Sequence, residues 1–204
     1  MNQIRVDDAY FTPSKVVCIG RNYVAHIEEL NNEVPEQPVI FIKPNSAISS
    51  TMQAGVEEPI HYEGELCFVV RNGGLAAVGF GLDLTKRALQ SRLKEKGLPW
   101  ERAKCFDGAA LFSPFVTFEG ELSALSMKLL INGECVQEAD YALMMNKPEA
   151  IFQAVSEFMS LESDDVLMTG TPKGVGVVNA GDIFVGQVFA GEQLLIEHSW
   201  TVKP

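Results

Sequence analysis

Between residues 60 and 70 the chain alternates in a way that constrains its surroundings tightly. Leu66, Phe68 and Val70 share one face of an extended segment, and Glu63, Glu65, Cys67 and Val69 share the other, because successive strand side chains point to opposite sides. Both faces carry apolar residues, so the pattern predicts a strand covered on both sides within a layered β structure. The two glutamates then project together, roughly 6 to 7 Å apart along the backbone. Neighbouring buried carboxylates repel each other and resist desolvation. Spacing alone leaves two readings open: a half-exposed sheet with its acids in water, or an inward pair relieved by a cation. Hard oxygen donors favour Mg²⁺, Mn²⁺ or Ca²⁺ over zinc.

Other short apolar runs predict strands over 16–19, 39–42, 127–131, 166–168, 183–189 and 194–202, with turns at Asn132-Gly133 and Ala190-Gly191. Three helices are expected. The first covers 22–30 with Asn22 as its cap, and the polar stretch 31–37 after it reads as a mobile loop. The second covers 84–96, with Leu84, Ala88, Leu89 and Leu93 at helical spacing and Gly97 and Pro99 behind them. The third covers 148–160, with Pro148 in its first turn and Ile151, Phe152, Val155, Phe158 and Met159 facing inward. The expected class is mainly β with flanking helices (α+β). No repeat or linker divides the chain, so residues 1–14 read as a short lead-in and 15–204 as a single domain.

A formal net charge of −11 over 204 residues repels phosphate backbones and argues against a nucleic-acid partner. The four cysteines form no Cys-x-x-Cys pair. No apolar run reaches the roughly 20 residues of a membrane span, and the opening Met1-Asn2-Gln3-Ile4-Arg5 does not read as a secretory signal. The expectation is a cytoplasmic protein with reduced thiols and no membrane partner.

Three more features carry potential chemistry. Asp83 stands before the second helix, as a third carboxylate or as that helix's N-cap. His26 and Glu29 are three apart, as a proton-accepting pair or as surface neighbours. Thr169-Gly170-Thr171-Pro172-Lys173-Gly174-Val175-Gly176 is a tight turn that either presents N–H groups to an anion or merely connects strands. It lacks the order of a phosphate loop.

In order along the chain, several segments together resemble the fumarylacetoacetate hydrolase family. They are Gly20-Arg21-Asn22-Tyr23 with His26, His61-Tyr62-Glu63-Gly64-Glu65-Leu66, Gly79 to Arg87 with Gln90, Lys104-Cys105-Phe106-Asp107, Asn132-Gly133 with Gln137, and Gly170 to Gly176. The resemblance implies a β-roll or barrel-like catalytic domain, usually a homodimer. It also implies one Mg²⁺ or Mn²⁺ on Glu63, Glu65 and Asp83, a water-activating dyad of His26 and Glu29, and substrate contact by Lys104. Arg21, Tyr23, Gln90 and Thr171 match pocket positions. Two departures stand out: Ala88 replaces a common acid, and Gly64 replaces a common apolar residue, which is expected to loosen that strand.

The implied substrate is a small α-keto acid. The leading expectation is hydrolysis of acylpyruvates to pyruvate and a carboxylic acid. Alternatives are oxaloacetate decarboxylation, keto–enol tautomerisation, isomerisation of a 2-hydroxyhepta-2,4-diene-1,7-dioate type, and non-catalytic, metal-dependent binding of keto acids. Residues 22–37, which join the dyad to a polar loop, read as a lid.

Overall fold

In the computed structural model, which describes residues 1–30 and 33–204, the first elements are short strands. They are β1 (Ile4–Val6), β2 (Ala9–Phe11) and β3 (Lys15–Gly20), followed by helix α1 (Val24–Glu29). Next come β4 (Val39–Pro44), β5 (Ile48–Ser49), β6 (His61–Tyr62), β7 (Gly64–Arg71) and β8 (Gly74–Asp83), then α2 (Arg87–Glu95) and α3 (Glu101–Lys104). The remainder is β9 (Ala110–Phe112), β10 (Val116–Thr117), β11 (Leu125–Ile131), β12 (Glu134–Asp140), α4 (Pro148–Ser156), β13 (Val166–Met168), β14 (Gly176–Val177), β15 (Ile183–Ala190) and β16 (Gln193–Thr201).

Among the described residues two sheets dominate. The larger runs β4-β3-β13-β7-β8-β9-β5, with β10 also on β8, and the smaller runs β12-β11-β15-β16. The large sheet curls into a half-barrel, as expected for a mainly β fold with few helices. Leu66, Phe68, Phe80 and Leu82 on its outer face pack with Met127, Leu129, Phe184 and Trp200 of the small sheet. Its other face carries Cys18, Cys67, Val69 and Met168, covered by Ile4, Val6 and Phe115. The alternation in β7 is thus buried on both sides. Residues 4–11, within the expected lead-in, form a hairpin whose Ile4 and Val6 close this second core.

Register brings distant acids together. Gly64 pairs with Leu82 and Glu65 with Gly81. One step further, the Asp83 N–H donates to the Glu63 carbonyl at 2.9 Å. Glu63 and Asp83 therefore stand opposite each other across the ladder, with Glu65 two positions along the same face.

Several local expectations need correction. Helix α2 starts at Arg87, because Thr85 is still bridged to His61 through both backbone bonds, 2.8 and 2.9 Å. Asp83 ends β8 and caps no helix, while Ala88 is exposed. Asn22 does not cap α1. Tyr23 holds the cap position, and the Asn22 amide donates to the Thr169 carbonyl at 2.8 Å and the Asn146 carbonyl at 2.9 Å. Helix α4 stops at Ser156, leaving Phe158 63% exposed. The four-residue α3 was not foreseen.

Gly64 also behaves differently from its expectation. A Cβ there would lie 2.9 Å from Gln137 Oε1 and 3.0 Å from Phe80 Cζ. Its N–H donates to Gln137 Oε1 at 2.9 Å and its carbonyl accepts from the Thr171 hydroxyl at 2.9 Å. The absent side chain permits this close approach and tightens the strand.

Candidate active site

Glu63, Glu65 and Asp83 are 6%, 1% and 1% exposed, and each offers an oxygen within 4.8 Å of the others. Glu63 sits in the break between β6 and β7, Glu65 on β7, and Asp83 at the end of β8. Three cationic side chains surround them. Lys104, brought in by α3, donates to Asp83 Oδ2 at 2.6 Å, Glu63 Oε2 at 2.9 Å and Thr85 Oγ1 at 2.6 Å. Arg87, at the start of α2, bonds Glu63 Oε1 and donates to Gln90 Oε1 at 2.9 Å.

Lys43, fully buried at the end of β4, bonds the Lys104 carbonyl and places Nζ 2.8 Å from Asp83 Oδ1. Sequence reasoning missed it, because a lysine between an apolar run and a proline reads as a strand end. Although the Lys43 ammonium is close enough for an ion pair, Asp83 Oδ1 receives no hydrogen bond of adequate direction. The two groups therefore meet as a charge contact, and one lone-pair direction on Oδ1 stays open.

The electrostatics divide the acids. Burial pushes the Glu63 carboxyl up, but Lys104 and Arg87 overcome that and hold it well below the usual range. Glu65 goes the other way: burial, then Asp83 and Glu63, raise it well above normal, and the Gly170 N–H at 2.6 Å only partly opposes them. Burial lowers Lys104, but Asp83 and Glu63 prevail and raise it above an ordinary lysine.

This donor set fits a hard divalent cation. It offers three converging carboxylates, an open lone pair on Asp83, and a Glu65 that no cationic side chain compensates directly. Glu63, Glu65 and Asp83 are the residues that would hold the ion. All three Lys104 N–H donors are engaged with Glu63, Asp83 and Thr85. With those two carboxylates given over to a cation, Lys104 has donors to turn toward a substrate.

Glu63, Lys104, Arg87, Gln90, His26 and Thr171 border one cleft, and Arg21 lines it as well. Glu65 and Asp83 are buried and do not line it. Its free volume is about 30 Å³, room for roughly one water, so a keto acid enters only when a wall shifts. On α1, His26 Nδ1 meets Glu29 Oε2 at 3.1 Å, leaving Nε2 for the cleft. Glu29 Oε1 accepts the Gly174 N–H at 2.9 Å, which ties α1 to the glycine-rich turn. Gly174 has φ +98°, and a Cβ there would lie 2.1 Å from the Val136 carbonyl oxygen, so glycine is required. Of the expected lid, residues 31 and 32 lie outside the described residues.

Tyr23, expected at a pocket position, does not border the cleft, and neither does Glu29. The Tyr23 hydroxyl is buried with no hydrogen-bond partner among the described residues, and burial followed by the Glu65 charge pushes its pKa up. Gln137 had appeared only within a motif. It donates to Thr171 Oγ1 and the Pro172 carbonyl, both at 2.9 Å, and so fixes the turn against β7.

Residues 15–195 match the family described as Fumarylacetoacetate (FAA) hydrolase C-terminal. The chain belongs to the fumarylacetoacetate hydrolase family. Within it, the chain is 39% identical to the mitochondrial oxaloacetate tautomerase oaa1 of Schizosaccharomyces pombe, across 93% of this chain and 95% of that protein. It is 37% identical to the Escherichia coli oxaloacetate tautomerase YcgM, across 83% and 85%. A crystal structure of Pseudomonas aeruginosa fumarylpyruvate hydrolase in complex with Mn²⁺ and pyruvate superposes with a TM-score of 0.88 at 30% identity, covering 99% and 95% of the two chains. The chain is thus an enzyme of the fumarylacetoacetate hydrolase superfamily, whose relatives act on small keto acids. No helix among the described residues is long and apolar enough to cross a membrane.

Proposed function

We propose that this chain catalyses the metal-dependent keto–enol tautomerisation of a small α-keto acid of the oxaloacetate type. The observation that carries the reading is the convergence of three buried carboxylates, with Glu63 bordering a cleft that also holds Lys104 and His26, and Glu29 bonded to His26 behind it. The two oxaloacetate tautomerases, matched over most of their length, favour this reaction over the others.

Glu63, Glu65 and Asp83 would hold Mg²⁺ or Mn²⁺, which would supply Lewis-acid chemistry there. Lys104, held protonated, places positive charge where the enolate oxygen develops. Arg87 and Gln90, bonded to each other on one wall, orient the substrate carboxylate. His26 Nε2 takes the proton from carbon 3, and Glu29 steadies the imidazolium through Nδ1. Delivery of that proton to the enolate oxygen gives the enol: the C3–H bond breaks, an O–H bond forms, and no carbon–carbon bond is broken.

His26→Ala is expected to slow oxaloacetate tautomerisation roughly 100-fold, the low end for a general base because enolate stabilisation remains. Loss of the enol's ultraviolet absorbance with Mn²⁺ present measures it. Turnover within threefold of the parent chain would remove His26 from the chemistry.

A second reading is hydrolysis of acylpyruvates. The His26–Glu29 pair and the fumarylpyruvate hydrolase relative favour it, since the same pair activates a water for attack on a distal carbonyl. Release of pyruvate from acetylpyruvate would identify it. The homodimer implied by the resemblance and the cytoplasmic location expected from the sequence belong to the proposal too; light scattering tests the former.

A further inference from the structure

Helix α2 turns Arg87, Gln90 and Lys94 toward the cleft, at i, i+3 and i+7. Arg87 and Gln90 are bonded to Glu63 and to each other. Lys94 differs from both. Among the described residues it has no carboxylate or carbonyl acceptor, and its one specific contact is Trp100, whose ring centroid lies 4.9 Å from Nζ. An ammonium in a partly buried wall, seated on an aromatic face and lacking an acceptor, is prepared for an anion.

The surrounding charges agree. Arg21, Arg87 and Lys104 face it from the end of β3, its own helix and α3, and His26 borders the same cleft from α1. Glu63 acts in the opposite sense. Burial, then Arg21, Arg87 and Lys104, lower the Lys94 pKa to about 8. A second negative charge on the substrate relieves this repulsion and supplies the missing acceptor. Phe41 and Trp100 form an apolar wall beside it, which strengthens such a bond by excluding water. Lys94 lies two helical turns from Arg87, roughly 10 Å along the axis. Helical side chains lean toward the N-terminus, so Lys94 leans back toward the end where Glu63 stands.

We propose that Lys94, backed by Trp100, is the specificity-determining residue that receives a second, distal carboxylate, so that the site prefers α-keto diacids to α-keto monoacids of equal length. The inference rests on the proposed keto-acid chemistry and adds the group that selects among keto acids.

The test compares oxaloacetate with 2-oxobutanoate, which carries a methyl where oxaloacetate carries its distal carboxylate. Enzyme-dependent deuterium exchange at carbon 3, followed by NMR with Mn²⁺ present, reads the same proton transfer for both. Lys94→Met is expected to lower the ratio of kcat/KM for the diacid to that for the monoacid roughly 10- to 100-fold, the size of a hydrogen bond to a charged group. Most of the change should lie in KM for the diacid. Lys94→Arg should restore much of the ratio. In the parent chain the ratio should fall as pH rises through about 8, where Lys94 loses its charge, and this limb should vanish in Lys94→Arg. An unchanged ratio in Lys94→Met overturns the assignment while leaving the keto-acid reading intact. No exchange with either substrate overturns both.

Discussion

Glu65→Gln will abolish divalent-metal binding while leaving the metal-free fold as stable as before. In the absence of a cation, burial and the neighbouring acids hold the Glu65 carboxyl toward its protonated form. Glutamine reproduces that neutral group and can still accept the Gly170 N–H. The loss appears only when metal is added, because a neutral amide cannot replace an anionic ligand. Affinity for Mn²⁺ should fall by more than about 100-fold, the upper range for removing a mere supporting partner of a ligand. Turnover should fall on the order of a thousandfold, since Lewis-acid stabilisation amounts to several kcal/mol. Calorimetric titration and thermal unfolding with and without Mn²⁺ check both parts. In the parent chain, saturation at 100 times Kd should add about 2.7 kcal/mol of stability, and in the variant this gain should vanish. A variant that still gains stability from Mn²⁺ would show that Glu65 is no ligand.

Asp165→Ala will destabilise the fold by about 3 to 5 kcal/mol, the range for breaking a buried charge pair. Asp165 is fully buried at the entrance to β13. Its Oδ1 accepts the Ser14 N–H at 2.9 Å, the Ser14 hydroxyl at 2.7 Å and the Lys15 N–H at 3.0 Å. Its Oδ2 accepts the Lys15 ammonium at 2.5 Å and the Glu162 N–H at 2.9 Å. One carboxylate thus fastens together the starts of the parallel pair β3 and β13. Alanine leaves those donors without an acceptor where water is excluded. Near 200 residues, each kcal/mol moves Tm by roughly 2 to 4 °C, so a fall of about 10 °C is expected by scanning calorimetry. A fall below about 2 °C would contradict the role. Although burial acts to raise the Asp165 pKa, the bonds from Lys15 and Ser14 prevail and lower it. Its stabilisation is therefore present above the ordinary aspartate value of 3.8 and is lost as pH falls through the depressed one. Asp165→Ala should lose less stability than the parent chain on acidification.

What the residues disclosed in advance follows from how local each determinant is. The alternation in β7 revealed a strand buried on both faces, because period two is written in adjacent residues. It could not show that Asp83 stands opposite Glu63. That fact is a register between β7 and β8, and Asp83 before a helical pattern reads equally well as a cap. The late start of α2 has the same origin, since Thr85 is claimed by His61 across space. Asn22 looked like a cap because its partners, Thr169 and Asn146, are remote in the chain. Lys43 was invisible for a related reason: nothing near it in sequence hints that it meets Asp83. Lys94 is set on Trp100 only by the meeting of α2 with the start of α3, which no local pattern records. Charged residues whose partners come from other elements were the ones local reading could not place.

The central claim is that Glu63, Glu65 and Asp83 together hold one divalent cation at the cleft. Anomalous diffraction from crystals grown with Mn²⁺ and oxalate tests it most directly. One peak should lie about 2.1 Å from a carboxylate oxygen of each of the three residues, with Lys104 Nζ turned from Asp83 toward the oxalate. A peak bound elsewhere, or none beside these three acids at saturating Mn²⁺, would contradict it.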